Sequence, residues 1–338
     1  MERDIIPYDP YHPHLGYTLA ITCVAWVSVA LYSHFRLQHH PKWRITLYAL
    51  AIVLPIYAEA VSYLIYRLRP ASDTLVGYIL SHFHAYVLQR IPIDTFLSPT
   101  LSAVLIGLLI VLTIGSIARF CYGSIQLSRR LVDARPLSRT PYAYLLPQLD
   151  LIGTGWGAAV PTILVTDLDA PLAFTTGLLF PSIYVTTTLL ALLTTDEQIA
   201  VLCHEWAHIL RRDNLWNGGI RLLRDLVAFL PGNYLLWQWM IDSQDEACDA
   251  LAVQITRQPL ALARALVKVA NAWEAYKEPS IPRVTSPFAM ISASPQPRVE
   301  QMIRLSDAEA PPAGPARGAY VLALAQLLFA PLPALLGS

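Results

Sequence analysis

The chain has 338 residues, 55% of them hydrophobic and only 14% charged, with a formal net charge of zero. An ordinary soluble domain carries about 25% charged residues, so this composition, with a mean hydropathy of +0.44, argues for an integral membrane protein with room for one modest soluble domain. The neutral balance gives no electrostatic footprint for nucleic acid, and no direct nucleic-acid binding is expected.

In chain order, the first run, "LGYTLAITCVAWVSVALYSHF" (15–35), is apolar until His34. The second, "WRITLYALAIVLPIYAEAVSYLIY" (43–66), is broken only by Arg44 and Glu59, and the third, "FLSPTLSAVLIGLLIVLTIGSIARFCY" (96–122), has no charge until Arg119. Crossing a hydrocarbon core takes about 20 residues, so each predicts a transmembrane helix. A fourth, 318–337, is uncharged but holds Pro331 and Pro333. The leader "MERDIIPYDP" is acidic where a signal sequence is basic. These runs divide the chain into a membrane region at 1–122, a soluble domain at 123–310 and a fourth span at 318–337.

Orientation follows lysine and arginine in short loops. Arg36, Lys42 and Arg44 mark the first loop, and Arg119, Arg129, Arg130, Arg135 and Arg139 follow the third run, against Arg3 alone in the N-terminal tail. The second loop, with Arg67, Arg69 and Arg90, is a weak contrary signal. The expectation is a cell-membrane protein with its N-terminus outside and residues 123–317 in the cytoplasm. Cys23, Cys121, Cys203 and Cys248 form no CxxC pair, so no disulfide framework is expected. Glu59 is an intramembrane acid, equally readable as functional or as an interhelical contact. His39 and His40 read as headgroup-facing, and His82 and His84 as part of an interfacial segment.

The soluble part opens with "TILVTD" (162–167), "LAFTTG" (172–177) and "SIYVTT" (182–187), short β-branched or aromatic runs that predict strands of a small sheet. Thr194, with Glu197 three residues later, predicts a capping box at the start of a helix. A break follows at Pro231-Gly232. Helices are expected over 243–258, with Ser243 as N-cap, and over 260–278. Pro-rich loops are expected at 279–297 and 311–315. "FLPGNYLLWQWM" (229–240) suits either the membrane interface or the domain core.

Within the capped helix lies "CHEWAHILRRD" (203–213). His204 and His208 are four apart and share one face of a helix, so both imidazoles can reach one ion. Glu205 is turned by about 100° and can reach a water on the metal without binding the metal. This is the H-E-x-x-H arrangement of zinc peptidases. Zn2+ lowers the pKa of its water and polarises a carbonyl, while the glutamate takes the proton and passes it to the leaving amine. A catalytic zinc needs a third protein ligand. The segment "DSQDEACDA" (242–250) offers Asp245, Glu246 and Asp249, and the four-residue spacing of Asp245 and Asp249 suits one ligand plus one acceptor for a ligand histidine's free N–H.

The stretch from "PLAFTTG" through "CHEWAHILRRD", followed by "EACDA", resembles the M56 family of membrane zinc metallopeptidases, the family of the BlaR and MecR antibiotic sensors, and more distantly the M48 family. The resemblance implies an α-helical multi-pass membrane protein with an α+β, zincin-like cytosolic metallopeptidase domain. It implies His204 and His208 as ligands and Glu205 as acid/base. Its third ligand, a glutamate in the family, falls here on Asp245, with Glu246 as the alternative in a shifted register. Asp249 is then the partner of a ligand histidine, and Asp213 matches a recurrent aspartate whose role is that partner, a cap or a pair with Arg211 or Arg212. The chain stops at Ser338, so no extracellular sensor domain is expected. In related folds a strand like "LAFTTG" takes substrate as an added strand. The tail "SPQPRVEQMIRL" (295–306) resembles a segment after the catalytic helices and is given no chemistry. The expected activity is zinc-dependent cleavage of a protein or peptide, a transcriptional regulator or the chain itself, in regulatory proteolysis. The alternatives are an M48-type membrane quality-control protease and a non-enzymatic signalling scaffold with a structural zinc.

Overall fold

A computed structural model describes residues 14–37, 40–67, 99–226, 231–275, 298–300 and 302–303. The chain forms two compact units. One comprises residues 1–116, 222–240 and 315–338, the other residues 117–221 and 241–314. Expectations for His39, His82, His84, the 279–297 and 311–315 loops and the 318–337 span lie outside the described residues.

In the first unit, α1 (His14–Arg36) and α2 (Pro41–Arg67) pair, and α3 (Pro99–Arg130) begins. Proline opens α2 and α3, where its missing N–H costs nothing. Trp26 Nε1 donates to the Ala51 carbonyl at 3.0 Å, and Val29, Leu47, Ile52 and Leu54 are buried. On their other faces, Val24, Val27, Leu31 and Phe35 of α1 and Ile110, Val111 and Ile114 of α3 are exposed. The helices cover the first two predicted spans and the third from residue 99 onward. Among the described residues, however, no helix is long and apolar enough to cross a membrane. Hydroxyls interrupt the apolar faces and bond one turn back, Ser28 to the Val24 carbonyl at 2.7 Å and Thr46 to that of Lys42 at 3.0 Å. The multi-pass architecture is therefore not carried by the described residues.

The second unit holds a four-stranded sheet of β1 (Arg135–Pro136), β2 (Ile163–Thr166), β3 (Ala173–Thr176) and β4 (Ser182–Thr186), in the order β1-β2-β4-β3. β2 runs parallel to β4, and β3 lies antiparallel to it at the edge. Alternation puts Ile163, Val165, Ile183, Val185, Ala173 and Thr175 on one face. That face joins the main core with Leu202, Cys203 and Trp206 of α6 (Thr195–Arg211), reached after α4 (Leu146–Trp156) and α5 (Thr187–Leu192). On the opposite face Phe174 stacks on Tyr184 at 5.6 Å, in a cluster with Ala170 and Leu172 against which Leu127, Leu131 and Trp273 pack. β2 to β4 fall within the three predicted runs; β1, two residues long, has no sequence signal.

The remaining helices are α7 (Asp213–Leu226), α8 (Pro231–Thr256) and α9 (Pro259–Ala275). Here one expectation needs correction. Pro231-Gly232 is the beginning of α8 rather than a break, and Ser243 is buried inside that helix rather than capping it. Proline at the first helical position starts a helix, and nothing between it and Ser243 stops one.

Candidate active site

The site is built on α6. Glu197 completes the capping box, its Oε2 accepting from the Thr194 N–H at 2.9 Å. Lys268 Nζ of α9 meets the same oxygen at 2.7 Å. Residues 197–207 are all buried, which is unusual for a helix carrying two histidines and two glutamates. Charged and polar groups in such a place need partners, and the structure supplies them.

His204 and His208 project from one face, their ring centroids 5.0 Å apart. Each has an aspartate behind Nδ1. Asp249 Oδ1 of α8 lies 2.7 Å from His204 Nδ1, a close ionic approach in which the ring N–H is not aligned on the oxygen. Asp213 Oδ2 lies 2.9 Å from His208 Nδ1. A carboxylate at Nδ1 holds the proton there and leaves Nε2 as the free lone pair. Among the described residues His204 Nε2 is buried and has no hydrogen-bond partner, while His208 Nε2 stands 3.6 Å from Asp245 Oδ1.

The ligand atoms of His204, His208 and Asp245 all lie within 4.8 Å of one another. Glu246, half-buried one residue further along α8, is not part of that group. An orphaned buried imidazole nitrogen, a second imidazole and a carboxylate form the nitrogen and oxygen donor set that suits zinc with a fourth position open. These residues therefore fit the metal.

His208, Asp213 and Cys248 form a second group of the same kind. Burial pushes the Cys248 thiol up to about 11 despite His208 beside it, so at neutral pH it is a thiol. Its Sγ lies 3.4 Å from Asp213 Oδ2, and Arg211 Nε binds the same oxygen at 3.1 Å. With its acceptor so occupied, this group supports His208. Burial works to raise the Asp213 carboxyl, but His208 and Arg211 outweigh it and hold it below the usual range. Burial alone pushes Cys203, on the core side of α6, up to about 12.

Two residues were not assigned chemistry from sequence. Arg298, in the helical stretch at 298–300, is buried and grips Asp249 with Nε to Oδ2 at 2.7 Å and a terminal nitrogen to Oδ1 at 2.6 Å. Another Arg298 nitrogen reaches Asp245 Oδ2 at 3.7 Å. Burial would raise Asp249, yet Arg298 and His204 hold it far below the usual carboxylate range. The tail that was given no chemistry thus anchors the residue behind His204. The other is Thr175 on β3. Its Oγ1 lies 2.9 Å from Glu205 Oε2 and 3.2 Å from the Glu205 carbonyl. The signal was a hydroxyl on the sheet face that otherwise packs apolar residues against α6.

β3 is an edge strand, so a chain segment paired to it would lie beside Thr175 and its partner Glu205, two positions before Gly177 and the turn that follows. Gly177 has φ +104°, and a Cβ there would sit 2.6 Å from the Phe180 carbonyl, so only glycine allows this turn. Asn214 Nδ2 donates to the Gly177 carbonyl at 3.3 Å.

Comparison with known proteins gives the following. Residues 157–297 match the sequence model of Peptidase family M48. A "Protease HtpX homolog" of Acidiphilium cryptum (strain JF-5) is 31% identical over 172 residues, covering 41% of this chain and 60% of that protein. "Protease HtpX" of Legionella pneumophila, in strains Corby and Lens, is 35% identical over 115 residues, covering 33% of this chain and 40% of each relative. The chain thus spans between two fifths and three fifths of these relatives' length. The matched family is M48, the more distant of the two resemblances, and the M56 resemblance finds no support in these matches. The matched region contains β2 to β4, α6 to α9 and the site residues His204, Glu205, His208, Asp245 and Asp249.

Proposed function

We propose that this chain is a membrane-associated, zinc-dependent endopeptidase of the M48 type, acting in quality control on unfolded or damaged protein. The observation that carries the reading is the convergence of His204, His208 and Asp245, with the orphaned Nε2 of His204 and Glu205 beside it. The match to Peptidase family M48 and the relatives named as proteases support the reaction class. Membrane association is supported by the composition and by the rows of large apolar side chains that α1 and α3 expose. Such rows are costly in water and satisfied by lipid.

His204, His208 and Asp245 would hold the metal. Bound there, zinc supplies a lowered water pKa and a polarised scissile carbonyl. Asp249 and Asp213 fix the ligand histidines, and Arg298 and Arg211 in turn fix those aspartates. Glu205 takes a proton from the attacking water and delivers it to the departing amine. Thr175 engages Oε2 of Glu205, leaving Oε1 for that proton. The outer edge of β3 aligns the substrate backbone by main-chain pairing.

The test is zinc content and casein cleavage by the purified full chain in detergent. Wild type should hold one zinc and cleave. Glu205→Gln should keep the zinc and lose activity by roughly 100-fold or more. Zinc without cleavage in the wild type would instead favour a scaffold with a structural ion, and no zinc after reloading would end the peptidase reading.

A further inference from the structure

The turn between β3 and β4 exposes three consecutive large apolar side chains. Leu178 is 54% exposed, Leu179 77% and Phe180 90%. Leu179 and Phe180 bury little within their own unit, and Gly177 and Pro181 flank the triplet at the tip of the turn. The surrounding sequence carries no charge from residue 170 to 195. The first turns of α7 lie against this turn: Leu178 Cδ2 would sit 3.1 Å from a Cβ at Gly218, and Asn214 bonds the Gly177 carbonyl. That helix adds Leu215 and Trp216, the latter 63% exposed, and Arg212 is exposed just before it. Two leucines and a phenylalanine at the tip match the apolar interior of a bilayer, and an exposed tryptophan on the neighbouring helix and an arginine just before it suit its interfacial belt and anionic headgroups.

Position points the same way. The cluster of Ala170, Leu172 and Phe174 packs against Leu127 and Leu131, at and just past the end of α3. The tip follows Phe174 by four to six residues, so it stands no more than about 20 Å away along an extended strand. Earlier in that same helix, and in this same unit, Ile117, Tyr122 and Ile125 are exposed.

We propose that Leu178, Leu179 and Phe180 form a bilayer-inserting tip that holds the β3 edge and Glu205 at the membrane surface. This rests on the membrane-associated peptidase reading and narrows its substrates to segments lying at the lipid–water interface. A tip seated in lipid keeps the edge strand open to chains emerging from the bilayer and away from folded protein in bulk solution.

The experiment uses the full chain in nanodiscs of phosphatidylcholine and phosphatidylglycerol. Cys23 and Cys121, the exposed cysteines, are first changed to serine. An environment-sensitive fluorophore is then placed on Phe180→Cys, on Val111→Cys as a reporter of the α3 surface, and on Tyr144→Cys as a reporter of the second unit's surface. Nitroxides high on the lipid acyl chain should quench the probe at 180 several-fold more strongly than the probe at 144. Quenching at 180 by aqueous iodide as at 144, with lipid quenching at 111, overturns the tip and leaves membrane association standing. Shielding of 180 from both quenchers places a protein surface there and also overturns it. Iodide access at 111 as well removes the membrane reading and the tip together.

Discussion

A glutamate that shuttles a proton needs one oxygen held and the other free. Thr175 holds Oε2 of Glu205 at 2.9 Å from a position on the edge strand β3. A hydrogen bond to a charged group is worth about 1.5–3 kcal/mol, which is roughly 10- to 100-fold in rate if it acts in the transition state. Thr175→Val, of nearly the same shape, should lower kcat by that factor with KM and zinc content little changed, and Thr175→Ser should restore most of it. Equal loss in the serine variant would mean that the methyl group's packing matters and the hydroxyl does not. Arg298 is the other residue whose removal has a calculable cost. It leaves Asp249 as a buried carboxylate without its cation, and breaking a buried pair on one side costs about 3–5 kcal/mol. Arg298→Met should therefore destabilise the protein by that amount in urea unfolding. Asp249→Asn added to it should recover part of the loss, because the uncompensated charge is gone. Strict additivity of the two changes would count against the pairing.

At the scale of elements, α6 is pinned at its first turn. Glu197 serves both the Thr194 cap and Lys268 of α9. Burial would raise its pKa, but the bonds from Lys268 and the Thr194 N–H prevail and lower it from 4.5. A carboxyl whose pKa is lower folded than unfolded stabilises the fold above the unfolded value and loses that contribution as pH falls through the folded value. Glu197→Gln should thus be less stable than wild type at neutral pH. The gap should close as pH drops below about 4.5, the range where the carboxyl protonates, as thermal melts across pH would register. A gap constant down to pH about 3 would mean the charge of Glu197 contributes nothing. The same helix shows what a sequence reveals. Its cap, its histidine spacing and the alternation of β2 to β4 are set by neighbours within a few residues, so all were legible. The start of α8 at Pro231 was misread because the Pro-Gly pair that usually breaks a helix also begins one. Arg298 was invisible because its partner Asp249 lies 49 positions away, and no local pattern links them.

For the whole molecule, the grouping of candidate metal ligands was more legible than the family. An ion needs two imidazoles one helical turn apart and a carboxylate on a neighbouring helix, whatever the surrounding architecture. The residues that would hold the ion therefore do not choose between M56 and M48. The unit that carries them is discontinuous. His204 and His208 come from residues 117–221 and Asp245 from residues 241–314, with 222–240 belonging to the other unit. A metal held by these three ties two separate lengths of chain together, which couples its binding to the folding of that unit. A ligand that binds only the folded state adds about 2.7 kcal/mol when present at 100 times its dissociation constant. Calorimetry of the full chain in detergent should show one transition that moves down when zinc is chelated, while the transition of the other unit stays in place. His204→Ala should melt at the chelated temperature with or without zinc. A zinc-loaded wild type whose melting is untouched by chelation would mean that the two lengths of chain are joined by packing alone.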